Sequence, residues 1–171
     1  MINRACKTIV LLACAALLQG CAGYRLGSML PPDVKTVFIP TFINKTTEPL
    51  VDVETTRATT RQVQLDGSLK LAAEEEADTI LEVTVHGYEL SPIAYDKGRQ
   101  RTLADEYRLT LTASVLLKRR MTGEIIVENP SVRGDVTFEV GGSLASSKRN
   151  ALPGAADDLG RRIVRQIVEV W

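Results

Sequence analysis

Histidine and cysteine are scarce in this chain, and their scarcity excludes several kinds of active site. His86 is the only histidine among 171 residues, and there are three cysteines. Zinc sites need clustered histidine and cysteine ligands, and a catalytic base needs a nucleophile and an orienting group nearby. The run Glu74 to Glu76, followed by Asp78, would need further ligands to hold a metal, so we interpret it as a solvated loop.

Catalytic sequence motifs are lacking as well. The chain has no glycine-rich phosphate loop and no Gly-x-Ser-x-Gly elbow. His86 falls on the polar side of a predicted strand, where a surface or hydrogen-bonded imidazole is the favoured interpretation. We therefore expect no enzymatic activity, no metal and no dissociable cofactor, and we interpret the chain as a binding or assembly protein.

Neither an excess of charge nor a long apolar run is present. The 21 basic and 21 acidic side chains balance, and a nearly neutral protein is not a general nucleic-acid binder. An anionic ligand would have to be bound by local clusters of Lys and Arg. The apolar stretch from Thr8 to Leu18 is shorter than the roughly 20 residues that cross a bilayer.

This apolar stretch belongs to a predicted secretory signal. Arg4 and Lys7 precede it, and Gly20 is the small residue expected just before a cleavage site. The sequence Leu-Gln-Gly-Cys that ends at Cys21 resembles the bacterial lipobox, in which the cysteine receives a diacylglycerol and, after cleavage, an acyl chain on its new amine. Because each buried CH₂ contributes about 0.8 kcal/mol, two or three such chains anchor a domain to a membrane.

Two alternatives remain for this segment. Leu-Leu-Ala-Cys, ending at Cys14, also fits a lipobox but leaves only Thr8 to Ala13 as apolar part, and an ordinary signal peptide is the other alternative. Cys6 and Cys14 both lie in the signal, so Cys21 would have no disulfide partner, and a lone exported cysteine is either reactive or modified. We favour modification, and we divide the chain into a signal peptide (1–20), a lipidated tether (21–33) and one domain (34–171).

The first half of the domain has short predicted elements. Lys35 to Pro40 is a β-branched and aromatic run closed by proline, which predicts a strand. Thr41 to Pro49 predicts a loop. Leu50 to Leu65 is predicted as a helix because its apolar positions recur at helical spacing and Asp66-Gly67 is a plausible stop. Ser68 to Ala72 predicts a short strand.

Alternating apolar and polar residues predict longer strands further along the chain. Thr79 to Leu90 alternates well, and Asp105 to Lys118 has the clearest pattern of the chain. A further strand starts at Glu124, is interrupted near Asn129-Pro130 and resumes over Val132 to Val140. A proline within a strand indicates an edge position or a bulge.

The C-terminal segment predicts an amphipathic helix. After a predicted loop over Gly141 to Arg149, Asn150 is the expected cap and Pro153 falls in the first turn. The apolar residues that step by three or four positions are Leu152, Ala156, Leu159, Ile163, Ile167 and Val170. Two helices on the apolar side of one mixed sheet give a two-layer α+β sandwich.

Basic residues concentrate in three predicted loops and could bind phosphate groups. The loops carry, in order, Lys97, Arg99 and Arg101; Lys118, Arg119 and Arg120; and Lys148 and Arg149. The alternative is that they are solvated hairpin tips, which we favour for Arg119 and Arg120. The polar sheet face, rich in Thr, Ser, Arg and Glu, is either a plain solvent face or lies against a polar protein wall.

In the order of its parts the chain resembles the LptE family, the lipopolysaccharide-assembly lipoproteins of the bacterial outer membrane. The likeness is carried by Cys21 to Leu26, Val34 to Pro40, Thr46 to Pro49, Ser91 to Asp96, and Glu106 to Leu109. The resemblance implies two helices on a four-stranded sheet. It also implies a plug and assembly partner inside the β-barrel LptD that binds lipopolysaccharide. Ala22, where an aspartate would signal retention in the inner membrane, favours an outer-membrane location.

The resemblance also implies lipid-binding residues. In the family, basic residues in the loop before the Glu-Tyr strand and in the loop before the last helix bear on lipid binding. The matching positions are Lys97, with Arg99 beside it, and Lys148, with Arg149 beside it. Their cationic groups would pair with lipid A or core phosphates. The alternative function is an outer-membrane scaffold or secretion-channel subunit that binds protein only; a hydrolase has little support, because no nucleophile and base can be named.

Overall fold

The computed structural model describes residues 30–94 and 106–169 of the chain. The elements of this part are β1 (Thr36–Phe38), β2 (Ile43–Asn44), α1 (Val51–Asp66), β3 (Lys70–Leu71), β4 (Thr79–Ala94), β5 (Glu106–Arg119), β6 (Ile125–Glu139) and α2 (Leu144–Val168). Neither of these two helices is long and apolar enough to cross a membrane.

The strands form one mixed sheet, which confirms the predicted α+β class. The order is β3-β1-β4-β5-β6, and β2 pairs with β4 as well. The short strands β1, β2 and β3 pair in parallel, whereas β4, β5 and β6 form an antiparallel meander. The expected number of four strands is wrong, because the sheet has six. Two of them, β2 and β3, have two residues each and exist only through their pairing with β4 and β1.

The alternation predicted for the long central strand is confirmed in β5. Its buried side chains face the helices, and they are Tyr107, Leu109, Leu111, Ala113, Val115 and Leu117. The opposite side chains are half-buried or exposed on a face that neither described helix covers. Because successive side chains of a strand point to opposite faces, one strand builds both the core and this second surface, which we call the open face.

The predicted interruption near Asn129-Pro130 is a bulge within β6, which is one continuous strand over Ile125–Glu139. β6 is an edge strand, and its register shifts between Ala113 and Val115 of β5, which pair with Val132 and Asn129. Two residues of β6 therefore lie opposite one residue of β5, which is a bulge. Proline lacks an N–H donor and is tolerated at such a place, so the edge and bulge predictions for Pro130 are both confirmed.

Helix α1 is confirmed to within one residue at each end. It ends at Gly67, whose φ of 75° places it in the left-handed region and whose N–H donates to the carbonyl of Val63 at 3.1 Å. Its threonines lower helix propensity, but several of their hydroxyl groups donate hydrogen bonds to backbone carbonyls one turn earlier in the helix. The Thr55 hydroxyl, for example, donates to the carbonyl of Val51 at 2.6 Å.

Helix α2 begins earlier than predicted. Ser143 is its N-cap and accepts a hydrogen bond from the Ser146 N–H at 3.4 Å. The prediction of a loop up to Arg149 with a cap at Asn150 is therefore wrong. Pro153 lies inside the helix rather than in its first turn, so the Arg149 carbonyl lacks the usual helical donor. The apolar stripe predicts only the part of the helix that contacts the core.

Two glycines let α2 approach its neighbours closely. A Cβ on Gly134 of β6 would lie 2.3 Å from the backbone nitrogen of Leu159. A Cβ on Gly160 would lie 3.1 Å from the carbonyl carbon of Ala58 in α1. Any larger side chain at Gly134 would have to push the α2 backbone away from the sheet. Helix α2 thus occupies a narrow slot between β6 and α1.

Candidate functional site

The predicted lipid-binding residues divide into two groups. Cys21, Lys97 and Arg99 lie outside the described residues. Lys148 and Arg149 lie in the second turn of α2 rather than in a loop. The described part of the site is therefore built on a helix.

Lys148 is already engaged in an ion pair across the molecule. Its Nζ lies 2.5 Å from Glu48 Oε1, and both side chains are about 30% exposed, at 30% and 28%. The ammonium group also lies 5.9 Å from the centroid of the Tyr88 ring, a cation–π distance. An anionic ligand would therefore replace one carboxylate partner of Lys148 rather than meet a free ammonium group.

Tyr88 gives this ion pair a partly apolar environment. Its ring is packed against the core at the end of β4 that leads toward Ala94. Burial, and then the nearby carboxylate of Glu48, raises the pKa of the Tyr88 phenol to about 12. The phenol therefore stays protonated at neutral pH, and Lys148 retains a neutral aromatic neighbour.

Arg149 differs from Lys148 in its contacts. It is exposed and makes no ion pair with any residue in 30–94 or 106–169. Neighbouring residues of a helix are about 100° apart around its axis, so the two side chains point to different surroundings. The structure does not bring Lys148 and Arg149 together on one ligand.

The open face of the sheet forms a second candidate surface. One concavity of about 540 Å³ lies over the middle of β4 and β5, with the side chains of Glu82, Thr84 and Ser114 in its wall. Ile43, which is 57% exposed, forms part of its rim. A second concavity of about 480 Å³ lies nearer the other end of these strands, where Thr110 contributes to the wall. The predicted polar face is thus hollowed rather than flat.

Two ion pairs lie on this open face. Lys118 Nζ lies 2.6 Å from Glu82 Oε1, and Arg108 Nε lies 3.8 Å from Asp135 Oδ2. The face therefore offers hydroxyl groups and two ion pairs. Three further charged side chains line its concavities without an ion pair in the described residues, and they are Glu89, Glu128 and Arg133. Such a surface suits another polar protein wall better than a lipid chain, because burying a paired charge against polar groups costs less than burying it in hydrocarbon.

Arg119 and Arg120 have structural partners at the hairpin between β5 and β6. Arg119 pairs with Asp33 and, through its Nε, with Glu124 at 3.0 Å. The Arg120 Nε donates to the carbonyl of Ala77 at 2.8 Å. The hydrogen bond from Arg119 lowers the pKa of Asp33. Arg119 thus holds the hairpin to the end of the predicted tether, and Arg120 holds it to the segment before β4.

Asp78 has a structural role that its acidic surroundings conceal in the sequence. Its Oδ2 accepts the backbone N–H groups of Lys35 and Thr36, each at 3.0 Å. These hydrogen bonds, that of Lys35 first, lower the pKa of the Asp78 carboxyl. The neighbouring run Glu74 to Glu76 is exposed. A two-residue contact across more than 40 positions leaves no local signal, so the sequence could not have revealed it.

His86 and the possible metal ligands are the remaining candidates. The Nε2 of His86 lies 3.4 Å from the carbonyl of Pro130, as expected of an exposed, hydrogen-bonded imidazole. In the described part of the chain, no group of three or more His, Cys, Asp or Glu side chains is placed to hold a metal ion.

Comparison with known proteins relates the chain to one family. The profile of the LptE family, described as lipopolysaccharide-assembly, matches residues 34–167. No curated protein matches the chain.

Solved structures share the fold at low sequence identity. A protein from Xanthomonas campestris has a TM-score of 0.57 and 10% identity, over 82% of this chain and 87% of its own. A minor lipoprotein from Acinetobacter baumannii has a TM-score of 0.52 and 16% identity, over 79% and 93%. These similarities concern the fold alone. The family match spans nearly all of the domain, and by this match the chain belongs to the LptE lipopolysaccharide-assembly family.

Proposed function

We propose that this protein is an outer-membrane lipoprotein, anchored through Cys21, that serves as plug and assembly partner of the β-barrel LptD and binds lipopolysaccharide during its transport to the outer leaflet. The family match over residues 34–167 carries this proposal. The open face of the sheet supplies its physical basis. Several structural neighbours, such as the minor lipoprotein from Acinetobacter baumannii, are lipoproteins by name, which agrees with an anchored domain.

The open face is the surface we assign to the barrel. The interior of a large outer-membrane barrel is polar. The open face carries hydroxyl groups and ion pairs, so it is polar as well. Its two concavities could receive side chains or loops of the barrel wall. The helix-covered face is unavailable because its side chains form the core.

The barrel partnership is tested by enlarging one side chain on the open face. Ser114→Arg should fill the central concavity and abolish co-purification with the barrel from outer membranes, while the circular dichroism spectrum stays unchanged. Gln64→Arg is the matched control, since Gln64 is exposed on α1, and its barrel yield should equal that of the wild type. A full barrel yield for Ser114→Arg would remove the open face from the proposal.

Lipid binding is assigned to Lys97, Arg99, Lys148 and Arg149. A phosphate carries more charge and more acceptor oxygens than a carboxylate, so it can compete with Glu48 for the Lys148 ammonium group. The double variant Lys97→Gln, Lys148→Gln should bind purified lipopolysaccharide about tenfold more weakly, as expected for the loss of two charge-assisted contacts. Unchanged affinity would move the site elsewhere.

Anchoring is tested separately at Cys21. In Cys21→Ala, fractionation should show loss of the intrinsic membrane association, because a domain without lipid chains lacks their burial energy. Surface lipopolysaccharide should fall only as far as the barrel fails to hold the unanchored domain. Full membrane retention in cells lacking the barrel would contradict lipidation at this cysteine.

One observation favours the alternative, a scaffold that binds protein only. Lys148 already has Glu48 as its partner, so one of the two described residues of the predicted lipid site is paired internally. The two functions differ in one measurement: depletion of the protein should reduce surface lipopolysaccharide under the first and leave it unchanged under the second.

A further inference from the structure

A concavity between the edge strand β6 and α2 has an unusual charge composition. It has a volume of about 420 Å³, and its lining includes three arginines but no carboxylate. The polar residues that line it are Arg133, Arg162, Arg165, Asn129, Ser131 and Gln166. We call it the arginine pocket. None of these residues is among those assigned above to lipid binding, and Arg133 and Asn129 also line the concavities of the open face.

The fold places the three guanidinium groups together from two elements. Arg133 stands on β6 and also lines the second concavity of the open face. Arg162 and Arg165 are three positions apart on α2 and so share one side of the helix. Positive charges that converge in this way repel one another, and an anion between them would relieve the repulsion.

Only one of the three arginines is neutralised internally. Arg162 Nε lies 2.8 Å from Asp158 Oδ2, and a second guanidinium nitrogen lies 3.5 Å from Asp135 Oδ1. Arg133 and Arg165 are exposed and make no ion pair with residues of the described ranges. Arg162 is therefore held in place by its two carboxylate partners, and the guanidinium groups of Arg133 and Arg165 are available to a ligand.

The uncharged part of the lining also favours an anion. The Gln166 carbonyl oxygen accepts the Asn129 amide N–H at 3.1 Å. The Asn129 carbonyl oxygen in turn accepts the Ser131 backbone N–H at 3.0 Å. Each side-chain amide oxygen thus already accepts one hydrogen bond, whereas the arginines and the Gln166 amide nitrogen offer N–H donors, as an anionic oxygen requires.

We infer that the arginine pocket is a further binding site for a phosphate group of lipopolysaccharide, an inference that rests on the proposed lipid-binding function. A phosphate monoester carries close to two charges and three acceptor oxygens, and guanidinium groups bind such oxygens in a bidentate manner. A protein carboxylate, with one charge, is satisfied by a single arginine. The pocket is separate from Lys148, because 17 residues of helix span about 25 Å.

The simpler alternative is that these arginines are ordinary solvent-exposed side chains at the edge of the sheet. Charged residues on an edge strand discourage pairing with other chains, and Arg133 could do this alone. It does not explain why two arginines of α2 converge on the same hollow without a carboxylate in the lining. The phosphate site accounts for all three.

The test uses the full lipidated protein in detergent, with purified lipopolysaccharide and its chemically dephosphorylated form as probes. Arg133→Gln, Arg165→Gln should bind intact lipopolysaccharide about tenfold more weakly than the wild type. The matched control is Arg57→Gln, Lys70→Gln, which removes the same charge from exposed positions elsewhere and should bind within about twofold of the wild type. With the dephosphorylated probe, all three proteins should bind alike.

Each other outcome has a definite meaning. If the wild type binds lipopolysaccharide and the Arg133→Gln, Arg165→Gln protein binds it equally well, the pocket is not a lipid site, although the proposed function stands. If that variant keeps its lipid affinity but loses co-purification with the barrel, the pocket holds an acidic protein surface instead. If the wild type does not bind lipopolysaccharide, both the inference and the lipid part of the proposed function fail.

Discussion

The two faces of the sheet are built from the same strands but have opposite properties. On β5, Leu109 and Leu111 are 0% exposed under the helices. Thr110 and Thr112, which alternate with them along the strand, line a concavity of the open face. The covered face is packed with aliphatic side chains and the open face carries hydroxyls and ion pairs. The core and the surface that we propose for recognition are therefore separated by the two-residue period of a strand, so each can change without the other.

The largest expected effect tests this separation within one strand. Leu111→Ala, on the covered face, should lower the free energy of unfolding by about 2–5 kcal/mol, because a cavity remains where the side chain was. Leu116→Ala, on the open face of the same strand, should lower it by less than about 1 kcal/mol. Urea denaturation of both variants measures the difference. Equal losses would mean that side chains on the two faces contribute equally to stability.

The next effect probes how tightly the covered face is packed. Gly134→Ala would place a Cβ 2.3 Å from the backbone of α2, and we expect a loss near the upper end of about 1–3 kcal/mol. Gly141→Ala is the control, since nothing lies within 4 Å of a Cβ there, and its midpoint should match that of the wild type. A neutral Gly134→Ala would mean that α2 can move away from β6 without cost.

The sequence predicts the covered face better than the open one. The alternation in β5 and the stripe of α2 reflect burial, which acts on every second or on every third to fourth residue. Both are confirmed within the described residues, and Val170 of the predicted stripe lies outside them. The two-residue strand β2 is missed because it depends on parallel pairing with Thr84 and Val85, not on its own residues.

The site is less predictable for a related reason. The Lys148 partner Glu48 is 100 positions away, and no local pattern reveals such a contact. The start of α2 is missed because the first six helical residues after the N-cap Ser143 bear no apolar stripe. The arginine pocket likewise joins a strand to a helix, and only the fold makes its three arginines neighbours.

A smaller effect is expected at the start of β1, which Asp78 holds through the N–H groups of Lys35 and Thr36. Because its folded pKa is lowered, its contribution to stability is present above about pH 4, the unfolded value, and is lost as the pH falls through the folded pKa. Asp78→Asn should cost about 1 kcal/mol at pH 7, since the carboxylate is exposed to solvent. The difference from the wild type should shrink in urea titrations at pH 3; a constant difference would show that charge is not involved.

The smallest effect on stability is expected at Glu48, and it separates folding from binding. Glu48→Gln removes the carboxylate partner of Lys148, and a pair this close to the surface contributes about 0–1 kcal/mol. Because Lys148 then no longer has to exchange a carboxylate for a phosphate, affinity for purified lipopolysaccharide should rise a few-fold. Glu54→Gln is the control, since within the described residues Glu54 pairs with Arg57 of the same helix and with no other residue. If Glu48→Gln leaves the affinity unchanged, Lys148 is a structural residue of α2, and the lipid contacts must be sought in Lys97, Arg99 and the arginine pocket.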